Sequence, residues 1–308
     1  MSEILTEQIS RDDAVRAGEA AVNRGLAVDR FIRLFAVAVL FTIFSITARN
    51  FFTVRSILTL ALQTSTITLM GIGVTFTIIT GGIDLSIGSI VALSGTIAVM
   101  VALEGVPIWL SMIVGLLVGV VSGLINGLMI TKMKLPPFIA TLGMMMVARG
   151  VALTITNANA KPAPEGFGEL GNGTILGTGP EFPGLSYPSN EEAARLAGIK
   201  IHQVKIINYI FCGLLTALVG IILASRMITS QPNSAIGYEM NAIAAAVIGG
   251  TSLMGGVGTV AGTVIGSFII GILTVGLTMQ GANYFMQQIV IGLVVIGAVT
   301  VDRLRNRK

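Results

Sequence analysis

Long apolar runs, separated by short polar segments, limit what this chain can fold into more than any other feature of its sequence. A helix needs about 20 apolar residues to cross the hydrocarbon core of a bilayer, and a spanning segment has to satisfy its backbone hydrogen bonds internally. The runs close to that length are Phe31–Ala48, Ile57–Ile79, Leu85–Leu103, Ile108–Ile130, Phe138–Ile155, Ile206–Met227, Val257–Met279 and Tyr284–Val301. The sequence therefore predicts an all-α fold, a polytopic membrane protein with about 8–10 transmembrane helices.

The charged residues agree with a protein surrounded by lipid. They make up 11% of the chain, against about 25% of a soluble domain. The net charge of +4 comes from Lys and Arg near the ends and in a few loops, which is an orientation signal, and no basic stripe points to nucleic acid. Cys212 lies in an apolar run and is interpreted as a core residue, and His202 is the only histidine. The sequence predicts neither catalytic residues nor a metal site.

Three regions make up the expected domain organisation. A polar arm, residues 1–30, is followed by an apolar run without a cleavage pattern, so that run is interpreted as a retained first helix. The transmembrane domain covers residues 31–302, and a basic tail covers residues 303–308. The arm and the tail are both expected in the cytoplasm. Within the domain, residues 156–189 are rich in Gly, Pro and Asn and predict an irregular loop.

The positive-inside rule leaves the number of crossings unresolved. Basic residues in the arm, at Lys132 and Lys134, at 195–205 and in the tail should all be cytoplasmic. A shorter run, Asn241–Met254, is either a thin or broken span or a re-entrant segment. If it spans, the crossings are odd in number and the termini fall on opposite sides. An additional crossing between Thr156 and Asn190 restores agreement, whereas a re-entrant segment leaves residues 195–205 outside.

Two glycine stripes predict closely packed helices, because small residues at four-residue spacing let helix backbones approach in lipid. The stripes are Gly115, Gly119, Gly123 and Gly127 on one run, and Gly258, Gly262 and Gly266 on another. Contact within one subunit is the simpler interpretation. An interface between subunits, or a gate that slides, is the alternative.

A polar break separates the second and third runs at Thr80–Ser89. Gly81 and Gly82 interrupt the helix pattern, and Asp84 follows them. Asp84 is predicted to be the N-cap of the next helix, accepting from its open backbone N–H groups. The alternative is a carboxylate near a cavity or gate.

Two further segments combine polar residues with helix-terminating glycines. Asn190–Ile199 predicts a short capped helix, either a solvated loop helix or a docking knob for a cytoplasmic partner. Gly237–Gly256 predicts a short broken helix followed by a Gly-rich turn, with Glu239 as a cap or loop residue.

Together these stretches resemble the ribose-type ABC permease family, the membrane subunits that import monosaccharides. The resemblance rests on ITGGIDLSIGSIVALSG (Ile79–Gly95), NEEAARLAGI (Asn190–Ile199) and YEMNAIAAAVIGGTSLMGG (Tyr238–Gly256) in that order. It extends from about Phe31 to Asp302.

The resemblance implies partners and a location. The chain would be the permease subunit of an ATP-driven importer for a monosaccharide such as ribose, in the bacterial cytoplasmic membrane. Two permease subunits, expected to be a homodimer, would form the pore between them. A cytoplasmic ATPase would drive transport, and an external sugar-binding protein would deliver the sugar. The chain would bind no cofactor and no nucleic acid. It contains no GxxxxGK[ST] phosphate loop, so ATP would be used by the partner.

The resemblance also implies roles for particular residues. ATPase coupling falls on Asn190, Glu191, Glu192, Ala193, Arg195, Leu196 and Gly198. The residue patterns themselves, apart from the resemblance, predict helix breaks or gates at Gly81, Gly82, Asp84, Ser86, Gly249, Gly250, Gly255 and Gly256. A sugar also needs hydrogen-bonding groups in an apolar channel, and Gln63, Thr64, Asn126 and Thr141 are candidates, each alternatively a helix–helix hydrogen bond.

The chain departs from the family pattern at Gly177–Ser189, where the family has one more span. A loss of about 20–30 residues is expected there from the length of a span. A degenerate, non-transporting permease or membrane scaffold is therefore an open alternative. A secondary transporter is less favoured, because it would place carboxylates at mid-membrane, whereas the acids here lie at the ends of runs or in loops.

Overall fold

The computed structural model describes residues 31–169 and 200–305, and these form nine helices and two short strands. In chain order the elements are α1 (Phe31–Thr47), α2 (Val54–Ile79), α3 (Ile87–Leu103), α4 (Ile108–Thr131), α5 (Pro137–Thr156), β1 (Lys161–Pro162), α6 (Ile201–Met227), β2 (Thr229–Ser230), α7 (Tyr238–Ile248), α8 (Val260–Met279) and α9 (Tyr284–Arg305). The predicted all-α, polytopic class is confirmed.

All eight long runs are helical, with ends within a few residues of the prediction. Five helices, α2, α4, α5, α6 and α8, are long and apolar enough to cross a membrane. Their boundaries have local causes. The Thr53 hydroxyl accepts from Ser56 N–H at the start of α2, and the Thr259 hydroxyl accepts from Gly262 N–H at the start of α8. Such side-chain caps satisfy amide groups that have no partner within the helix.

The most extensive helix contact joins α4 to α6. A Cβ added at Gly123 would lie 2.8 Å from the carbonyl carbon of Tyr209, and one added at Gly127 would lie 2.9 Å from Ile206 Cα. The first glycine stripe is thus confirmed as a contact within one subunit. Contacts on α6 run backwards from Ile221 to Ile206 as α4 advances from Gly115 to Gly127, so the two helices are antiparallel.

The second glycine stripe packs α8 against α7 and the segment after it. Gly262 faces Gly249, and Gly266 faces Ala245. Gly258 packs against the Ile79 side chain, where an added Cβ would lie 2.9 Å from Ile79 Cδ1. This stripe also lies within the subunit.

A two-stranded clasp ties the end of α5 to the end of α6. In it, β1 pairs antiparallel with β2, Lys161 opposite Ser230. The Ser225 hydroxyl also donates to the Phe167 carbonyl over 2.6 Å. Residues 161–169 and the C-terminal end of α6 therefore lie at the same face of the helix layer, which is called the outer face here.

The opposite, inner face carries the start of α6. This helix has 27 residues and is about 40 Å long at 1.5 Å per residue, so Lys200 lies across the layer from the clasp. The described residues that flank the 170–199 interval, Glu169 and Lys200, thus lie at opposite faces. Helices α1, α3, α5, α6 and α8 run outward, and α2, α4, α7 and α9 run inward, so both ends of the described chain lie at the inner face.

Basic residues identify the inner face as cytoplasmic. In the described ranges, inner helix ends and loops carry Arg33, Lys132, Lys134, Lys200, Lys205, Arg303 and Arg305, whereas outer ones carry Arg49, Arg55, Lys161 and Arg226. An excess of Lys and Arg marks the cytoplasmic side.

Candidate functional site

The break between α2 and α3 lies inside the helix layer. Gly82 contacts the Tyr209 hydroxyl, and the Thr141 hydroxyl donates to the Ile83 carbonyl over 3.0 Å. Tyr209 is eight residues from the inner end of α6, and Thr141 is four residues from that of α5. At 1.5 Å per residue, the break is about 6–12 Å from the inner ends of its neighbours.

Asp84 is the charged residue of this break, and its side chain is 1% exposed. Its Oδ1 accepts from Ser86 N–H over 2.9 Å and from the Ser86 hydroxyl over 2.5 Å. The prediction that Asp84 is the N-cap of α3 is wrong by two residues, because Ser86 occupies the cap position. Asp84 instead closes a turn that leads into the helix, where the helix dipole favours a negative charge.

Asn126 of α4 extends this hydrogen-bonded group. Its amide donates to the Ser86 hydroxyl over 3.0 Å, and it is fully buried. Three oxygens near the break have no hydrogen-bond partner among the described residues: Asp84 Oδ2, Asn126 Oδ1 and the Tyr209 hydroxyl. The break is therefore a polar site in an apolar layer, and such sites in membrane proteins are mostly functional.

A second break lies between β2 and α7. Arg149, on α5, donates to the carbonyls of Pro232 and Ser234 over 2.7 and 2.8 Å. Arg149 is twelve residues from the inner end of α5 and seven from its outer end, so this loop reaches a depth of about 10 Å below the outer end. Irregular backbone at such depth is tolerated where it is covered by protein or lines a water-filled cavity.

Helix α7 is the inner half of this broken span. It occupies 11 residues, Tyr238–Ile248, where a run of Asn241–Met254 was predicted. Glu239 Oε1 accepts from Gly237 N–H over 3.2 Å at the start of the helix, as expected for a cap residue, and its carboxylate packs against Gly88. Among the described acids, Asp84 and Glu239 lie next to helix starts that are inside the layer.

The α2–α3 break also contacts the segment that follows α7, residues 249–259, near the inner face. Gly256 N–H donates to the Ile79 carbonyl over 2.9 Å, and a Cβ added at Gly255 would lie 3.3 Å from Gly81 N. Arg33 of α1 donates to the Gly249 carbonyl and packs against Gly250. Of the eight predicted break residues, four lie at the α2–α3 break and four lie in the segment after α7 that contacts it: Gly81, Gly82, Asp84 and Ser86 in the first group, and Gly249, Gly250, Gly255 and Gly256 in the second.

The predicted path residues separate into two groups. Asn126 and Thr141 border the α2–α3 break, as described above. Thr64 instead faces Gly271 of α8 at a helix contact, and Gln63 is half-buried next to it on α2. The structure does not bring these four residues together into one path. Their role as substrate contacts stays a prediction.

The ATPase-coupling prediction falls on residues that the structure does not describe. Asn190, Glu191, Glu192, Ala193, Arg195, Leu196 and Gly198 all lie within 170–199. They precede α6, whose first residue lies at the basic inner face beside Lys200.

Arg149 and Tyr209 belong to the site but were not predicted. Arg149 is the only charged residue within the predicted run Phe138–Ile155, and an ionisable residue inside a span is a functional candidate by itself. That signal could have found Arg149. Tyr209 has no such signal, because its place beside Gly82 depends on how α6 packs on α2.

Comparison with known proteins identifies similar permeases. The family model described as branched-chain amino acid transport system, permease component, matches residues 56–176 and 187–299. The ribose import permease protein RbsC of Bacillus subtilis is 41% identical over 300 residues, covering 90% of this chain and 92% of that protein. RbsC of Escherichia coli is 38% identical over 301 residues, covering 89% and 93%.

A third relative carries the name of a different sugar. The L-arabinose transport system permease protein AraH of Escherichia coli is 34% identical over 317 residues, covering 94% of this chain and 95% of that protein. No solved structure matches the chain.

Proposed function

The chain belongs to the family of branched-chain amino acid transport system permease components, and on this premise we propose that it is the membrane-spanning permease of an ATP-driven importer for a monosaccharide. It is a multi-pass inner-membrane protein. The full-length similarity to permeases named for ribose and for L-arabinose supports a sugar of this size as the substrate.

The observation that carries the proposal is the contact between the α2–α3 break and the segment after α7, near the inner face. Gly256 N–H and the Ile79 carbonyl join the end of α2 to the segment after α7. The ends of broken helices can act as hinges: short segments reorient about them while the long helices keep their packing. A change in their relative position would open or close a route through this layer.

Helix α6 provides the mechanical connection from the cytoplasm to the first break. It begins at the inner face, directly after the predicted coupling segment. Its Tyr209 contacts Gly82, and Cys212 packs against Gly73 of α2. Movement of the inner end of α6 would therefore be transmitted to the break near Asp84. In this proposal the chain forms the transport path and the helix break that moves, and the partner ATPase catalyses ATP hydrolysis.

The partners follow from the same proposal. A cytoplasmic ATPase would bind Asn190–Gly198, and a sugar-binding protein would dock at the outer face and deliver the sugar. A second copy of the chain would complete the pore. In this proposal the chain binds neither a cofactor nor a nucleic acid, and the ATPase alone binds ATP.

Uptake by proteoliposomes tests the proposal. The chain is reconstituted with its cognate ATPase and binding-protein subunits, and uptake of radiolabelled D-ribose and L-arabinose is measured with ATP inside or outside. We expect uptake of at least one sugar that needs ATP on the side of the ATPase. Sugar uptake without ATP, driven by an ion gradient, would instead favour a secondary transporter. No uptake by an assembled complex would favour the degenerate permease.

A further inference from the structure

A small polar pocket lies at the outer side of the layer, away from the contact between the α2–α3 break and the segment after α7. It is bounded by α3, the outer half of α6 and the segment that follows β2. Thr96 lines it from α3, and Ser230, Gln231 and Ser234 line it from the segment. None of the four predicted path residues lines this pocket.

Two buried hydroxyls in the pocket lack a partner. Thr96 and Ser230 are 0% and 2% exposed, and neither hydroxyl has a hydrogen-bond partner among the described residues. Most buried hydroxyls of the described helices donate to a carbonyl about one turn earlier, as Thr216 does to Cys212 over 2.7 Å and Thr75 does to Gly71 over 2.8 Å. Because buried polar groups are nearly always hydrogen-bonded, Thr96 and Ser230 point to a group that occupies the space between them.

The size of the pocket limits that group. The cavity measures about 10 Å³, which is the room that one water-sized group needs. Its floor is fixed where α3 and α6 pack closely, since a Cβ added at Gly95 would lie 3.1 Å from the carbonyl carbon of Gly220. The pocket therefore fits a single hydroxyl group and not a whole sugar ring.

The position of the pocket gives it access from outside. Ser230 belongs to the outer clasp, and Gln231 beside it is exposed. Unsatisfied polar groups do not face hydrocarbon chains. The Arg149 hydrogen bonds to Pro232 and Ser234 hold the segment that forms one wall.

We propose that this outer hydroxyl pocket, formed by Thr96 and Ser230, binds one hydroxyl group of the sugar as it enters the permease. The inference rests on the proposed function and deepens it by naming a recognition site. A sugar hydroxyl both donates and accepts a hydrogen bond, as do the hydroxyls of Thr96 and Ser230. A bound structural water has the same chemistry, so the test separates the two.

The test compares sugars that differ by one hydroxyl. The double variant Thr96→Val with Ser230→Ala removes both pocket hydroxyls and keeps their shape nearly unchanged. The control is Thr216→Val, on a buried threonine of α6 whose hydroxyl is already satisfied. Initial uptake is measured in the reconstituted complex with saturating binding protein, loaded with D-ribose or with each monodeoxyribose. Because the binding protein is saturating and fully loaded with each sugar, its different affinities for the sugars do not affect the comparison of uptake rates.

The expected result is a loss of discrimination. The wild type and Thr216→Val should transport ribose about 3- to 10-fold faster than one of the deoxy sugars, the range that one hydrogen bond supports. The double variant should transport both at the slower rate. An unchanged ratio in the double variant overturns the inference. The inference is also overturned if the double variant transports both sugars more slowly by the same factor and has a lower Tm than the wild type. That result would mean that the pocket holds a structural water. Absence of ATP-dependent uptake of both D-ribose and L-arabinose by the wild type overturns the proposed function itself; if only L-arabinose is transported, the comparison uses L-arabinose and its monodeoxy analogues.

Discussion

Asp84 is the residue whose position most needs a physical explanation. A carboxylate inside an apolar layer is costly unless hydrogen bonds or charges compensate it. Here Ser86 donates two hydrogen bonds to one oxygen, and the first turn of α3 adds its open N–H groups. Both hydrogen bonds go to Oδ1, one from the backbone N–H and one from the hydroxyl of Ser86, so we expect this acceptor oxygen to matter more for folding than the full charge does.

Substitutions at Asp84 separate these two contributions. Asp84→Asn keeps an acceptor oxygen, so we expect the free energy of unfolding to change by less than about 0.5 kcal/mol. Asp84→Ala leaves Ser86 N–H buried without its partner, which should cost about 1–3 kcal/mol. Chemical unfolding in detergent micelles measures both. Equal destabilisation by the two variants would contradict this account and assign the effect to the charge.

At the scale of helices, the fold depends on close approach of backbones. Gly119 and Gly213 face each other directly across α4 and α6, and Gly123 packs onto Tyr209. Helices in lipid associate largely through such van der Waals contact, because lipid provides no hydrophobic drive between them. The four-residue spacing of the glycines made this contact predictable from sequence. The partner helix was not predictable, because glycine spacing does not say what packs against it.

Two alanine substitutions of helical glycines test this contact against an internal control. Gly123→Ala places a Cβ against the Tyr209 backbone and should cost about 1–3 kcal/mol. Gly150→Ala, on α5, has open space around the added Cβ and should be neutral or stabilise by up to about 1 kcal/mol. Unfolding in micelles reports both values. If Gly123→Ala is also neutral, the α4–α6 contact is looser than the structure gives.

Arg149 holds the loop that precedes α7, where this span is broken. Its guanidinium holds two carbonyls of the loop before α7, and Glu239 lies close enough to interact with it electrostatically. Arg149→Lys keeps the charge but loses the planar fork that reaches two acceptors.

Hydrogen exchange of the loop amides measures the contribution of Arg149. Amides in the segment from Asn233 to Gly237 should exchange about tenfold faster in Arg149→Ala, and by a smaller factor in Arg149→Lys, as expected for loss of charge-assisted hydrogen bonds. Arg55→Ala, at an exposed outer position, should leave these rates unchanged. Unaltered exchange in Arg149→Ala would mean that other contacts hold the loop.

For the whole molecule, sequence periodicity predicted the helices but could not settle how many times the chain crosses. The missing information is one contact between residues 68 positions apart, the β1–β2 clasp. That contact places Glu169 and Lys200 at opposite faces, and 30 residues of chain can reach up to about 100 Å. The same reason explains why the contact between the α2–α3 break and the segment after α7 was not foreseen, since it joins Gly81 to Gly255.

The length of the intervening segment agrees with a shortened family member. The alignment with Escherichia coli RbsC runs over 301 positions, whereas 89% of this 308-residue chain is about 274 residues, so about 27 positions have no counterpart here. The family match is interrupted at residues 177–186. We infer that the loss falls there, which is the place that the charge count identified.

The side of the membrane on which Glu192 lies decides whether such a shortened chain can couple to an ATPase. Because Lys200 lies at the basic inner face, we expect Glu192, eight residues before it, to be cytoplasmic. The measurement starts from Cys212→Ala, adds Glu192→Cys, and labels intact cells with a membrane-impermeant maleimide. Labelling should appear only after permeabilisation, as it should for Lys132→Cys, while Glu169→Cys should label in intact cells. Labelling of Glu192→Cys from outside would place the coupling segment in the wrong compartment, and the chain would then be a permease by descent that its ATPase cannot drive.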